Sequence, residues 1–241
     1  MAAEALRASL AYRLQAMLDP GYTLLVAGSP VQVSRELVKG LAEAAALVVA
    51  VDSGGDLLHA SGVCPGLVVG DLDSIDPVVL SRLCNSGVGS VLASPHKDET
   101  DLEMALAYLA ARPVLSAQLV VTNVLGGRVD HELGAIGAMC RATDAQGRSP
   151  LVIQDDCAVV FLGAAPSRST FCVGRHAPLG ATVSCLALTD GATVTEKGME
   201  WELDGVALRL LDARGVSNIV RSRDACVSVG QGIVAVFVND A

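Results

Sequence analysis

Two patterns of apolar residues divide the chain. In the first two thirds, short continuous apolar runs alternate with stretches of helical periodicity. Six of these runs predict strands: YTLLVAG, ALVVAVDSGG, GLVVGDLDS, SVLAS, QLVVTNVLGG and PLVIQDD. The clearest helix is DLEMALAYLAA, which places Leu102, Ala105, Leu106 and Leu109 on one face. Continuous Val-rich and Leu-rich strands separated by helices predict a Rossmann-like parallel sheet covered on both faces.

The pattern changes near residue 158, where helical periodicity nearly disappears. The following segments predict short strands joined by polar or glycine turns: TVSCLAL, ATVTEK, MEWELDG, VALRLLD, ACVSVGQG and IVAVFVN. We therefore expect an α/β domain over residues 1–157 and an all-β sandwich over residues 158–241. Ligands of parallel sheets bind beyond the carboxyl ends of the strands, and the Asp-rich and Gly-rich segments fall there.

Composition narrows the class of protein. The 241 residues are 51% apolar and 3% aromatic with a formal charge of -9, which suits a compact α/β enzyme and, without clustered Lys and Arg, argues against a nucleic-acid partner. The seven cysteines lack C-x-x-C spacing and predict buried thiols in a reducing compartment. The N-terminal MAAEALRASLAYRLQAMLD mixes charges into its apolar positions, so it predicts neither a signal peptide nor a membrane span. We expect a soluble, cytoplasmic protein without a membrane partner.

Two aspartates one residue apart, Asp71 and Asp73, follow the apolar strand of VVGDLDSI. Like charges at this spacing repel each other unless a cation or hydrogen-bond donors lie between them, so the pair is a candidate for an oxygen-ligated metal ion. The alternative is that both are turn and cap residues, because Asp is common where strands end. A third aspartate, Asp52, ends the preceding strand before the glycines of VDSGGD.

The segment PHKDETDLE begins the predicted DLEMALAYLAA helix. Thr100 precedes Glu103 by three residues, which is a capping-box pattern, and Asp101 would complement the helix dipole. Lys97 and Asp98 add a cation and a carboxylate at the same edge of the sheet, which is more than a cap requires.

The segment NVLGGRVDHE follows another predicted strand. Gly126 and Gly127 would let the backbone approach a phosphate closely, and Arg128 offers a bidentate fork for phosphate oxygens. The alternative is that Arg128 pairs with Asp130. With the carboxylates and the lysine, this turn fits a magnesium–nucleotide site, because Mg²⁺ prefers oxygen ligands and bridges phosphates. The chain has no G-x-x-x-x-G-K-[ST], which excludes a P-loop.

Five ordered segments resemble successive motifs of a known family: VDSGGDLL, PGLVVGDLDSI, KDETDLEMAL, LGGRVDHELGAI and GVSN. The family is thiamine pyrophosphokinase (thiamine diphosphokinase), and the resemblance runs from about Leu24 to the C-terminal strands. It implies transfer of a pyrophosphoryl group from ATP to the hydroxyethyl oxygen of thiamine, by attack on the β-phosphorus. The products would be thiamine diphosphate and AMP.

The resemblance also implies roles for individual residues. Asp71, Asp73 and Asp101 would hold Mg²⁺ and the triphosphate, with Lys97 as a further catalytic group. Six residues would complete the nucleotide side of the site: Asp52, Thr100, Gly126, Gly127, Arg128 and Asp130.

On the thiamine side, the resemblance implies that Ser217 and Asn218 hydrogen-bond the aminopyrimidine. Trp201 would lie beside the ring system, or alternatively in the core of the sandwich. The family's site lies at a homodimer interface, so a homodimer with a shared site is implied. The chain departs from the family's Asp-Gly-Gly-Ala-Asn at residues 52–56, where Asp56 would add negative charge near the phosphates unless it points to solvent.

Three alternatives stay open. A related pterin pyrophosphokinase would share the phosphate-binding motifs and differ in the acceptor pocket. A haloacid-dehalogenase-like phosphatase would use Asp71 as nucleophile and Asp73 as its acid, with QDD at residues 154–156 as a later acidic motif, but this leaves KDETD, LGGR and GVSN unexplained. A non-catalytic thiamine-binding or nucleotide-binding module would not need so many carboxylates beside phosphates.

Overall fold

The computed structural model describes Leu18 and residues 20–92, 98–112, 118–146, 149–165 and 169–239, except for the side chains of residues 144–146. The described residues form two compact units, one that ends at Ala138 and one that begins at Met139. The predicted boundary between functional domains, at residues 157 and 158, stays a prediction.

The first unit contains a parallel sheet of five strands. They are β1 (Thr23–Val26), β2 (Leu47–Val51), β3 (Leu67–Gly70), β4 (Gly89–Leu92) and β5 (Leu119–Thr122). Their order across the sheet is β5-β1-β2-β3-β4, and every pairing is parallel. All residues of β1, β3 and β5 are buried, as expected for a sheet covered on both faces.

Helices follow each of these strands. They are α1 (Arg35–Ala44), α2 (Gly54–Ala60), α3 (Pro77–Asn85), α4 (Asp101–Ala110) and α5 (Val129–Gln146). The residues predicted to share one face of α4 are buried: Leu102, Ala105, Leu106 and Leu109. Among the described residues, no helix has the length and apolar composition needed to cross a membrane.

The second unit is an antiparallel β-sandwich. Its strands are β6 (Leu151–Ile153), β7 (Cys157–Gly163), β8 (Thr170–Phe171), β9 (Thr182–Ala187), β10 (Ala192–Lys197), β11 (Leu203–Leu208), β12 (Asn218–Ile219), β13 (Cys226–Gln231) and β14 (Ile233–Asn239). One sheet has the order β12-β9-β14-β7-β6 and the other has the order β11-β10-β13-β8. Along β9 and along β10, buried residues alternate with more exposed ones, which is typical of strands that line a sandwich core.

The predicted fold class and all six predicted strands of the first two thirds are confirmed, with corrections. PLVIQDD forms β6, but β6 pairs antiparallel with β7 and belongs to the second unit. The prediction of separate strands in MEWELDG and VALRLLD is wrong, because one strand, Leu203–Leu208, joins the end of the first to the start of the second. The seven thiols are free, but only Cys185 is buried, so the expectation of buried thiols is wrong for the others.

Candidate active site

The strand order of the first unit creates a switch point beside β1. Strands β2, β3 and β4 lie to one side of β1, and β5 lies to the other; open α/β sheets bind ligands at such a point. The loops after β1 and β5 meet there through the buried side chain of Asn123. Its Nδ2 donates to the Ala27 carbonyl at 2.6 Å, and its Oδ1 accepts the Val33 N–H at 3.0 Å.

The two glycines of the β5 loop pack against the β1 loop. Gly126 and Gly127 have φ values of 102° and 101°. An added Cβ would lie 2.8 Å from Val31 Cβ at the first and 2.3 Å from Pro30 Cγ at the second. The turn therefore needs glycine for its own conformation and packing, and contact with a phosphate stays a prediction.

Three carboxylates converge beyond the carboxyl ends of β2 and β3. One oxygen from each of Asp52, Asp71 and Asp73 lies within 4.8 Å of the other two. Asp52 and Asp71 are half-buried and Asp73 is exposed. Backbone geometry helps to gather them, since Asp52 and Leu72 have positive φ values of 47° and 62°, which is uncommon outside glycine.

The carboxylate of Asp52 is poorly compensated by its surroundings. Its Oδ1 is buried and has no hydrogen-bond partner among the described residues. Burial raises the pKa of Asp52, and the charges of Asp101 and Asp73 raise it further, while hydrogen bonds involving Ser53 and Ser74 lower it. A cation at this point would relieve both the burial cost and the mutual repulsion.

This set of carboxylates fits a hard divalent cation. Mg²⁺ and Ca²⁺ take oxygen ligands and usually bind to one or more carboxylates. Asp101 adds a fourth carboxylate close by, because its Oδ1 accepts the Asp71 N–H at 3.3 Å. The packing is tight: a Cβ on Gly70 would lie 3.3 Å from that oxygen and 3.2 Å from Asp52 Cβ.

Asp56, where the chain departs from the family pattern, has a structural partner. Its Oδ1 and Oδ2 accept the backbone N–H of Asp76 at 3.0 and 3.2 Å. Asp76 in turn caps α3 by accepting the N–H groups of Val78 and Val79. The carboxylate of Asp56 therefore helps to hold the start of α3.

Thr100 caps α4, as the capping-box pattern predicted. Its Oγ1 accepts the Glu103 N–H at 3.3 Å, and its own N–H donates to Glu103 Oε2 at 2.9 Å. The hydroxyl also donates to Glu103 Oε2 at 2.9 Å. A contact between Thr100 and a phosphate stays a prediction.

Arg128 and Asp130 form an exposed bidentate pair. Arg128 Nη2 donates to Asp130 Oδ2 at 2.5 Å, and Nε donates to Oδ1 at 3.2 Å. Hydrogen bonding by Arg128 lowers the pKa of Asp130 to about 2. The alternative pairing noted in the sequence is therefore present, and a phosphate would have to compete with Asp130 for the guanidinium.

Lys97 lies outside the described residues. The QDD segment of the phosphatase alternative forms the tight turn between β6 and β7, where the Gln154 N–H donates to the Cys157 carbonyl at 2.8 Å. A turn role accounts for that segment.

In the second unit, the side chain of Asn218 forms hydrogen bonds with the backbone of Trp201. The alternative core position for Trp201 is excluded, because the residue is 60% exposed. Asn218 is buried, and its amide holds the Trp201 backbone: Oδ1 accepts the N–H at 3.0 Å and Nδ2 donates to the carbonyl at 2.6 Å. Ser217 is exposed with a φ of 61°, and its N–H donates to Ser184 Oγ at 3.0 Å.

Two residues that join the loops at the switch point, Ser29 and Asn123, were not predicted from the sequence. Ser29 Oγ donates to the Gly126 carbonyl at 2.8 Å. Both residues follow predicted strands, as Asp52 and Asp71 do. Their position at strand ends was the available signal, but uncharged side chains gave no reason to expect a ligand.

The fold and the site first define a class: an α/β unit with clustered carboxylates at the carboxyl edge of a parallel sheet, in a chain that also has a β-sandwich unit. Residues 38–151 match the family described as thiamin pyrophosphokinase, catalytic domain, and residues 170–234 match thiamin pyrophosphokinase, vitamin B1 binding domain. The chain belongs to the thiamine pyrophosphokinase family.

Curated relatives agree with this assignment, and a solved structure shares the fold. Thiamine pyrophosphokinase 1 of Oryza sativa subsp. japonica is 26% identical over 181 residues, covering 70% of this chain and 64% of the relative. Thiamine pyrophosphokinase 1 of Arabidopsis thaliana is 27% identical over 174 residues, covering 68% and 61%. The chain thus spans less than two thirds of the length of these relatives. The crystal structure of thiamine pyrophosphokinase from Bacillus subtilis has the same fold, with a TM-score of 0.76 and 21% identity over 91% of this chain and 99% of that one.

Proposed function

We propose that the protein is a thiamine pyrophosphokinase, which transfers a pyrophosphoryl group from ATP to the hydroxyl of thiamine and releases AMP. The observation that carries the proposal is the convergence of Asp52, Asp71 and Asp73 at the carboxyl edge of the sheet, in a chain that belongs to this family. Phosphoryl transfer asks the protein mainly to position the reactants and to neutralise developing charge, and such a cluster suits a cation that does so.

Mg²⁺ is the proposed metal ion. Asp71, Asp73 and Asp101 would hold it with the triphosphate, and the partnerless oxygen of Asp52 adds a fourth candidate ligand. When bound, Mg²⁺ supplies charge neutralisation for the phosphates. Asp101 has a second role in this proposal, since its bond to the Asp71 N–H fixes the loop that carries Asp71 and Asp73.

The nucleotide would lie at the switch point beside β1. Asn123 and Ser29 hold the two loops there in one arrangement, which lowers the entropy lost on binding. Arg128 would leave Asp130 to bind phosphate oxygens, and Thr100 and Lys97 would complete the phosphate contacts. Residues 1–157 would form this ATP-binding domain.

The thiamine side of the site would belong to residues 158–241. Ser217 and the exposed Trp201 are the proposed contacts. Asn218, whose amide is fully used within the unit, would position the Trp201 backbone. We propose a homodimer in which each site draws on both subunits, and a cytoplasmic location.

The test is an assay with ATP labelled at the β-phosphate, Mg²⁺ and thiamine. We expect the label in thiamine diphosphate and one AMP for each product. A parallel reaction with a hydroxymethylpterin as acceptor should transfer no label. Transfer to the pterin alone, label in inorganic phosphate, or an aspartyl-phosphate trapped at Asp71 would overturn the proposal.

A further inference from the structure

A carboxyl group lies in the core of the β-sandwich. Glu196 is 1% exposed and occupies an inward position on β10, in phase with the buried Ala192 and Val194. Burying a carboxyl group is unfavourable unless neighbouring groups hydrogen-bond it. The hydrogen-bond partners of Glu196 therefore explain why a carboxyl group can occupy this buried position.

One oxygen of Glu196 bridges the two sheets of the sandwich. Asn218 Nδ2, on β12 of one sheet, donates to Glu196 Oε2, on β10 of the other, at 2.6 Å. Glu196 Oε1 has no hydrogen-bond partner of acceptable geometry among the described residues. Burial raises the pKa of Glu196, and hydrogen bonds involving Asn218 and Cys185 oppose this rise.

The Asn218 amide has no hydrogen-bonding capacity left over. One Nδ2 hydrogen goes to Glu196 and the other goes to the Trp201 carbonyl at 2.6 Å. Oδ1 accepts the N–H groups of Trp201 at 3.0 Å and of Ile219 at 2.9 Å. These four bonds use both donors and both lone pairs of the amide, so the orientation of the amide is fixed from all sides.

The loop held by this amide displays the indole of Trp201. Further bonds tie the same loop down, since the Glu200 N–H donates to the Ile219 carbonyl at 2.9 Å and the Gly198 N–H donates to Glu202 Oε1 at 2.7 Å. An exposed aromatic side chain on a backbone fixed in this way loses little entropy when it contacts a ligand.

We propose that Glu196 is a positioning residue for the thiamine side of the site: it holds the Asn218 amide, and Asn218 holds the backbone of Trp201. The inference rests on the proposed function, and no contact between Glu196 and substrate is assigned. What the arrangement requires of residue 196 is a hydrogen-bond acceptor. A negative charge is not required, so glutamine should replace glutamate.

The test compares three variants. Glu196→Met keeps the volume of the side chain and removes the acceptor, Glu196→Gln keeps the acceptor, and Lys197→Met makes the same change at the exposed neighbour on β10. We expect Glu196→Met to raise the KM for thiamine about 10-fold or more, as small misplacements of a binding group do, with the KM for ATP unchanged. Glu196→Gln and Lys197→Met should resemble the wild type.

Trp201 provides a second readout that does not depend on activity, because it is the only tryptophan of the chain. In Glu196→Met its emission and its quenching by acrylamide should change, and Glu196→Gln should restore both. A folded Glu196→Met protein with wild-type emission and wild-type KM would overturn the proposal. So would a Glu196→Gln protein that behaves like Glu196→Met.

If Glu196→Met does not fold, hydrogen exchange of the Asn218 side-chain amide in the wild-type protein decides the question. The proposal expects slow exchange, and exchange as fast as that of an exposed amide would refute it. These measurements also separate the two proposals. A wild-type protein that does not convert thiamine would refute the proposed function, while Trp201 emission and Asn218 exchange would still test the link to Glu196.

Discussion

The backbone N–H of Asp71 donates to Oδ1 of Asp101 at 3.3 Å, across 30 positions of sequence. This bond ties the loop after β3 to the first turn of α4. Gly70 lets the two segments approach, because any Cβ there would lie 3.3 Å from the same oxygen. The position of the Asp71 carboxylate therefore depends on Asp101 as well as on its own loop.

We predict that Asp73→Asn and Asp101→Asn each lower kcat about 100-fold or more, because metal-based charge stabilisation contributes several kcal/mol to such transition states. Far-UV circular dichroism should stay unchanged. Steady-state rates at limiting Mg²⁺ provide the measurement, with the exposed Asp204→Asn as the control. Near-normal activity in either variant would show that the metal assignment is wrong.

Asp52→Asn should separate stability from metal binding. The variant removes a charge whose pKa is raised by burial and by neighbouring carboxylates, so we expect a higher Tm than wild type without divalent cations. The gain in Tm on adding Mg²⁺ should be smaller in the variant, because a ligand stabilises only through the sites it binds. Thermal unfolding with and without Mg²⁺ measures both effects. If Mg²⁺ raised the Tm of the variant as much as that of the wild type, Asp52 would not be a ligand of the metal ion.

Thr100→Ala and Glu103→Ala distinguish a cap from a phosphate contact. Each variant breaks the capping box, so each should lose about 1 kcal/mol of unfolding free energy. Only Thr100→Ala removes the hydroxyl, and we expect only that variant to raise the KM for ATP. If the KM for ATP stays at the wild-type value in both, Thr100 is a cap alone.

Arg128→Ala should raise the KM for ATP about 10-fold, since it removes a charge-assisted contact to the phosphate oxygens. Arg128→Lys should recover only part of the loss, because lysine lacks the planar fork. Asp130→Asn is the matched control: it removes the competing partner and should not weaken ATP binding. Equal losses in Arg128→Ala and Asp130→Asn would indicate that the ion pair matters and that no phosphate is bound by Arg128.

The shared site can be tested by subunit mixing. A Trp201→Ala, Ser217→Ala double variant should fold normally, because both side chains are exposed, and should bind thiamine poorly. Mixing it with inactive Asp73→Asn protein should restore activity, since one site of each mixed dimer would receive an intact half from each subunit. The absence of recovery after verified subunit exchange would favour a site built within one chain.

Several strands, the cap of α4 and the edge of the sheet where the carboxylates lie could be predicted from the sequence. Runs of Val and Leu bounded by Gly and Asp were enough to predict β1 to β6, and the Thr100–Glu103 spacing was enough to predict the cap of α4. Asp52 follows β2, and Asp71 and Asp73 follow β3. These three residues could be placed together because the carboxyl ends of parallel strands meet at one edge of a sheet. These signals are local, or follow from a general rule of the fold.

Tertiary structure alone decided which of these side chains already had partners. Asp56 holds the Asp76 backbone, and Asn218 joins Glu196 to Trp201, although nothing in their local sequences indicates these contacts. The strand boundary at Leu203 also depended on pairing with β10. In each case the deciding interaction joins residues of different helices, strands or loops. Periodicity within a segment reports only which face of that segment is apolar. It gives no information about which side chain of another strand or helix will contact that face.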